Sequence, residues 1–168
     1  MFRKILVPVD GSASASRGLK EAIRLAKERN AVIMLLHVVD ETPLLQTASV
    51  EGGAYFFDEL LKGLVADGRK LLEKATATAK AAGLRVKPLL LEDIGRPVAD
   101  VIVSQAKKLR ADLIVIGTHG RRGLTRVVMG SDAESVVRQS PVPVMLVRLG
   151  TRNAGAKRPA RKAAKKHG

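Results

Sequence analysis

The sequence predicts an α/β fold, a single domain built on a five-stranded parallel sheet with helices on both faces. Three observations carry this. Apolar runs suited to buried strands recur at residues 5–9, 32–39, 86–91, 113–116 and 143–147. Between them lie stretches of helical spacing or long connections, and parallel strands need such crossovers. Aromatic residues make up only 2% of the chain, so its core must come from Leu, Ile, Val, Ala and Met, which pack well as helix on sheet. At 168 residues the chain suits one core.

In the first run Pro8 is unsuited to a central strand, so the strand ends near it. Asp10 follows at the carboxyl end, where open parallel sheets hold their ligands, although Asp10 could equally cap the first helix. Ser12, Ser14 and Ser16 are candidate N-caps for a helix reaching about Asn30, with Leu19, Ala22, Ile23 and Ala26 on its apolar face. The second strand includes His37, read as a satisfied strand-end histidine rather than a ligand. Residues 42–57, with Pro43, Gly52 and Gly53, read as irregular, either a lid or simply a long loop. Leu60, Leu61, Leu64, Leu71, Leu72, Ala75 and Ala79 then mark a helix to about Ala82, which Gly63 and Gly68 weaken and Gly83 ends. After the third strand, Pro97 opens a helix whose buried face is Val98, Val101, Ile102, Ala106 and Leu109. Ser140-Pro141 breaks the chain before the last strand.

Residues 113–137 read as an anion cradle: an apolar strand, a glycine-rich loop from Gly117 to Gly130, and Ser131 opening a helix. Glycine lets backbone approach a ligand, and a helix N-terminus offers free N–H groups and the positive end of its dipole. Ser131 and Glu134 have the spacing of a capping box. Arg121, Arg122 and Arg126 add positive charge.

The spacing Gly117, Gly120, Gly130, Ser131 is G-x2-G-x9-G-S, and here the chain resembles the ATP-binding branch of the universal stress protein family. The resemblance covers residues 2 to about 149 and implies a Rossmann-like sheet of the adenine nucleotide alpha hydrolase-like kind. It implies ATP as ligand, with Mg²⁺ accompanying the nucleotide, and a regulatory role in stress response. It makes Asp10 a nucleotide contact, Pro8, Val9 and Ile116 pocket walls, and Val38 the residue whose backbone meets adenine. From the residues alone, Val38 and Ile116 would be ordinary core. Gly117, Thr118, His119, Gly120, Arg121, Arg122 and Gly123, with Gly130, Ser131, Asp132 and Ala133, match phosphate and ribose contacts. Asp132 departs from the pattern, because a carboxylate there would repel a triphosphate if it pointed inward; it could point to solvent or help hold Mg²⁺. The resemblance also implies a homodimer through the last strand.

What is missing narrows the chemistry. The chain has no cysteine, which excludes disulfides, thiolate metal sites and a cysteine nucleophile. No G-x4-G-K-[ST], no Ser-Gly-Gly-x-Asp-Ser and no Gly-x-Ser-x-Gly is present, and no residue is an evident catalytic base. Slow ATP hydrolysis or autophosphorylation, with a cradle Ser or Thr as acceptor, is the enzymatic alternative. The opening apolar stretch is too short for a signal peptide or a span, so a cytoplasmic protein without membrane contact is expected.

Of 30 basic residues, seven fall in 151–168 with no acid, leaving 23 bases against 16 acids elsewhere. Half of the net charge of +14 thus sits in a tail without large apolar residues, which divides the chain into a domain at 1–149 and a disordered basic tail at 150–168. Such a tail suits weak, sequence-independent binding to nucleic acid or another polyanion, and a dimer acting through that tail without nucleotide is the non-nucleotide alternative.

Overall fold

A computed structural model describes residues 2–40, 53–92, 95–118 and 129–149, without the side chains of 53–56. The order is β1 (Lys4–Pro8), α1 (Ala13–Arg29), β2 (Val32–Val39), α2 (Gly53–Ala81), β3 (Arg85–Glu92), α3 (Val98–Leu109), β4 (Leu113–Gly117), α4 (Ser131–Gln139) and β5 (Val144–Val147). The five strands form one sheet in the order β3-β2-β1-β4-β5, and every pairing is parallel. This is the expected Rossmann-like arrangement.

Strand parity sorts the core into two layers. Ile5, Val7, Ile33, Leu35 and Val115 face one side and pack with Leu19, Ala22 and Ala26 of α1 and Leu72, Ala75 and Ala79 of α2. Leu6, Met34, Leu36, Ile114 and Ile116 face the other and pack with Val101, Ile102 and Ala106 of α3 and Ala133 and Val136 of α4. A central strand buried on both faces needs continuous apolar sequence, which Ile5-Leu6-Val7 supplies at 0% exposure.

The helix ends follow local chemistry. Ser12 is the cap chosen from the three serines, its Oγ accepting the Ala15 N–H at 3.1 Å. Asn30 and Arg110 end α1 and α3 in the left-handed region. At the amino end of the sheet, Asp112 Oδ2 accepts the N–H groups of Arg3 and Lys4 at 2.8 and 2.9 Å, tying the start of β1 to β4.

Two expectations change. Helix α2 begins at Gly53, so the stretch read as irregular is helical over its last residues; the apolar spacing beginning at Leu60 hid a start set further upstream. The capping box does not form, because the N-cap of α4 is Gly130, in extended conformation, and Ser131 is already helical. Residues 42–52 of the stretch 42–57 read as a lid or a long loop, the loop residues His119, Gly120, Arg121, Arg122, Gly123 and Arg126, and the basic tail with its polyanion binding lie outside the described residues.

Among the described residues β3 and β5 are the outer strands. Leu36 faces β1, since its carbonyl accepts the Val9 N–H. By alternation Leu35 bonds the neighbours of its partner Pro88, and the polar backbone of Pro88 itself faces outward. Exposed Lys87 stands beside it. On β5 the exposed residue is Leu146.

Candidate functional site

The strand order reverses at β1, which makes the gap between the carboxyl ends of β1 and β4 the switch point of the sheet. Local sequence opens that gap. β1 follows β2 as far as Pro8↔Leu36, but it stays in register with β4 only for Ile5↔Leu113 and Leu6↔Ile114. Because Val9 donates to β2, Pro8 is the residue whose backbone faces β4, and proline has no N–H to give.

Residues from four elements gather around this opening. Val38 has the parity of Leu36, so its N–H and C=O point over the end of β1. On the other lip, Thr118 donates its N–H to the Val147 carbonyl at 3.0 Å and accepts the Gly130 N–H at 2.8 Å. The second bond closes the loop between Thr118 and Gly130 and holds the first turn of α4 over the end of β4. Glycine at the N-cap has no side-chain oxygen with which to cap that turn. Ala133 is buried, while Ser131 and Asp132 are exposed. Asp132 therefore belongs to an exposed first turn, where a carboxylate complements the helix dipole.

Packing alone already requires glycine at 117. A Cβ there would lie 2.7 Å from the Ser14 carbonyl carbon and Oγ and 2.8 Å from the Ala15 nitrogen. The N-terminus of α1 is thus drawn under the lip of β4, on the side of Gly117 where a side chain would stand.

Asp10 stands at the end of β1, half-buried. It does not cap α1; its Oδ1 accepts the Ser12 N–H at 2.9 Å across Gly11, which has φ +83°. It also lines a cavity of about 180 Å³ on the α2 side, together with His37, Asp40, Asp67, Gly68 and Leu71. The candidate residues therefore straddle the sheet end. Val38, Ile116 and Ala133 belong to the α3/α4 layer, Val9 to the α1/α2 layer, and Asp10 borders the cavity beside α2. Sequence reasoning passed over Asp40 and Asp67 and read Gly68 only as a weakness of its helix, and that glycine inside an amphipathic helix was the signal for this cavity.

Among the described residues no group of three or more His, Asp or Glu side chains could hold a metal ion, and no helix is long and apolar enough to cross a membrane.

An opened switch point with a helix N-terminus over one lip belongs to a doubly wound α/β domain. The profile of the universal stress protein family matches residues 1–148, and the chain belongs to that family. Universal stress protein MJ0531 of Methanocaldococcus jannaschii is 36% identical over 148 residues, covering 88% of this chain and 83% of the relative. Among solved structures, the hypothetical protein MJ0577 superposes with a TM-score of 0.78 at 28% identity, over 89% of this chain and 98% of that one. At 22% and 21% identity the likeness is one of fold alone. Such structures include a universal stress protein from Archaeoglobus fulgidus in complex with dAMP (TM-score 0.61, 88% and 98% covered) and one from Arabidopsis thaliana with AMP bound (TM-score 0.64, 92% and 97% covered).

Proposed function

We propose that the chain is a regulatory module of the stress response that binds ATP, with Mg²⁺, across the opened seam between β1 and β4. The observation that carries this reading is the early end of the β1–β4 ladder, with Val38 over one lip and the glycine-capped start of α4 over the other. Adenine would meet the Val38 backbone between Pro8, Val9 and Ile116. The phosphates would run toward Gly117, Thr118, Gly130, Ser131, Asp132 and Ala133 and the residues 119–123 of the loop, with Asp10 beside the ribose. This suits an anion, because a helix N-terminus presents N–H groups and a positive dipole end. The described residues offer no built metal site, so Mg²⁺ would arrive held by the phosphates. Adenine nucleotides in family structures support the same class of ligand. We take 1–149 as the binding domain and 150–168 as an appendage to it.

Protein purified without added nucleotide and denatured by heat should release an adenine nucleotide into the supernatant. Calorimetry of the emptied protein should show ATP with Mg²⁺ binding more tightly than AMP. An empty supernatant together with no heat from either nucleotide would reject the reading. Phosphate release above that of a Gly130→Val control would favour the slow-hydrolysis alternative.

A homodimer through β5 accompanies this proposal, since an outer strand with exposed Leu146 and, on the adjoining α4, exposed Val137 invites a second copy. Light scattering at micromolar concentration should give twice the chain mass, and a monomer would refute it.

A further inference from the structure

We infer that His37 is a positioning residue for Asp10, acting through the Val9 carbonyl and seated by the missing side chain of Gly68. Its consequence for binding rests on the nucleotide reading above; its geometry does not.

His37 is only 5% exposed, and its Nδ1 lies 2.7 Å from the Val9 carbonyl oxygen. A carbonyl can only accept, so Nδ1 carries the hydrogen and donates it. The N–H of Val9 already donates to the Leu36 carbonyl at 2.8 Å. Val9 is thus clamped to β2 twice, once by main chain and once by a side chain, immediately beyond the last ladder pair, Pro8↔Leu36.

The Val9 carbonyl and the Asp10 N–H belong to one planar peptide, so holding that oxygen sets the plane from which Asp10 departs. The bonds continue from there. Asp10 Oδ1 accepts the Ser12 N–H at 2.9 Å, and Ser12 Oγ accepts the Ala15 N–H at 3.1 Å. A donor on β2 thereby governs both the Asp10 carboxylate and the first turn of α1.

Gly68 explains how the ring fits. A Cβ at this position in α2 would lie 2.6 Å from His37 Cδ2, 3.0 Å from Nε2 and 2.9 Å from Leu90 Cδ1. The end of Leu90 can swing aside, but an imidazole pinned at Nδ1 cannot. Helix propensity alone favours alanine there, so the glycine answers to the histidine.

Three variants of the full chain separate positioning from packing: His37→Leu, which removes the donor; His37→Asn, whose amide nitrogen takes the place of Nδ1; and Gly68→Ala, which leaves the histidine present but displaces it. The readout is amide hydrogen exchange at Ser12, measured against amides inside α1. Exchange at Ser12 should rise at least about tenfold in His37→Leu and Gly68→Ala and stay within about threefold of the parent in His37→Asn. Affinity for adenine nucleotide should follow the same order, weakening about tenfold where the donor is lost or displaced. Unchanged Ser12 exchange in His37→Leu or Gly68→Ala, an equal rise in His37→Asn, or a rise shared by all amides would overturn the inference. If Ser12 follows the expected order while the parent itself binds no nucleotide, the positioning stands and the nucleotide reading falls.

Discussion

Gly117→Ala should destabilise the fold by about 3 kcal/mol, a large part of the roughly 5–15 kcal/mol that holds a domain of this size together. The added Cβ would fall 2.7 Å from the Ser14 carbonyl carbon and 2.8 Å from the Ala15 nitrogen, and both are backbone atoms. Neither can move alone. Ala15 N–H is the group that Ser12 caps, so pushing it away loosens the α1 N-terminus and drags Asp10 with it. Gly18 lies one turn further along α1 and serves as the control. A Cβ there would meet Gly117 nitrogen at 3.6 Å, ordinary contact, so Gly18→Ala should be close to neutral. Urea unfolding of the two variants decides the matter. Equal midpoints for Gly117→Ala and the parent would mean that α1 does not pack under β4 as described.

Gly130→Val should do the opposite, leaving the fold and removing the ligand. Gly130 has φ −63° and ψ 148°, a conformation that valine adopts without strain. The cost to the fold is then the poorer N-cap, about 1 kcal/mol. For a phosphate lying against the first turn of α4, a branched side chain at the N-cap stands where the ligand must come close. Affinity for ATP should fall at least about 100-fold, equivalent to about 2.7 kcal/mol. Calorimetry of the folded variant reads this directly, and parental binding would show that the start of α4 is not the phosphate site.

These two glycines also show how far the sequence could be read. The strands and the alternation of helix and strand were legible because a sheet covered on both faces demands unbroken apolar runs, and Pro8 marked the end of β1 correctly. The meaning of each glycine was not legible. That packing also demands glycine at 117 could not be seen, because Ser14 and Ala15 are about a hundred positions away in sequence. The Ser131–Glu134 spacing suggested a capping box, yet the chain enters α4 one residue earlier, with Gly130 as cap. Gly68 looked like a weakness in α2 because propensity is a local quantity. Its reason, the His37 ring, comes from a strand on which the histidine looked merely satisfied.

The two outer strands have unequal consequences for assembly. At Pro88 the outward-facing backbone of β3 lacks a donor, and Lys87 sets a charge beside it. β5 carries no such guard within Val144–Val147. A sheet open along both margins can go on adding copies and grow into a fibre. If two copies pair through β5 as proposed above, each turns its proline-bearing β3 outward, where a further strand would meet a position without a donor. On that proposal, assembly would end at two copies rather than grow into a fibre.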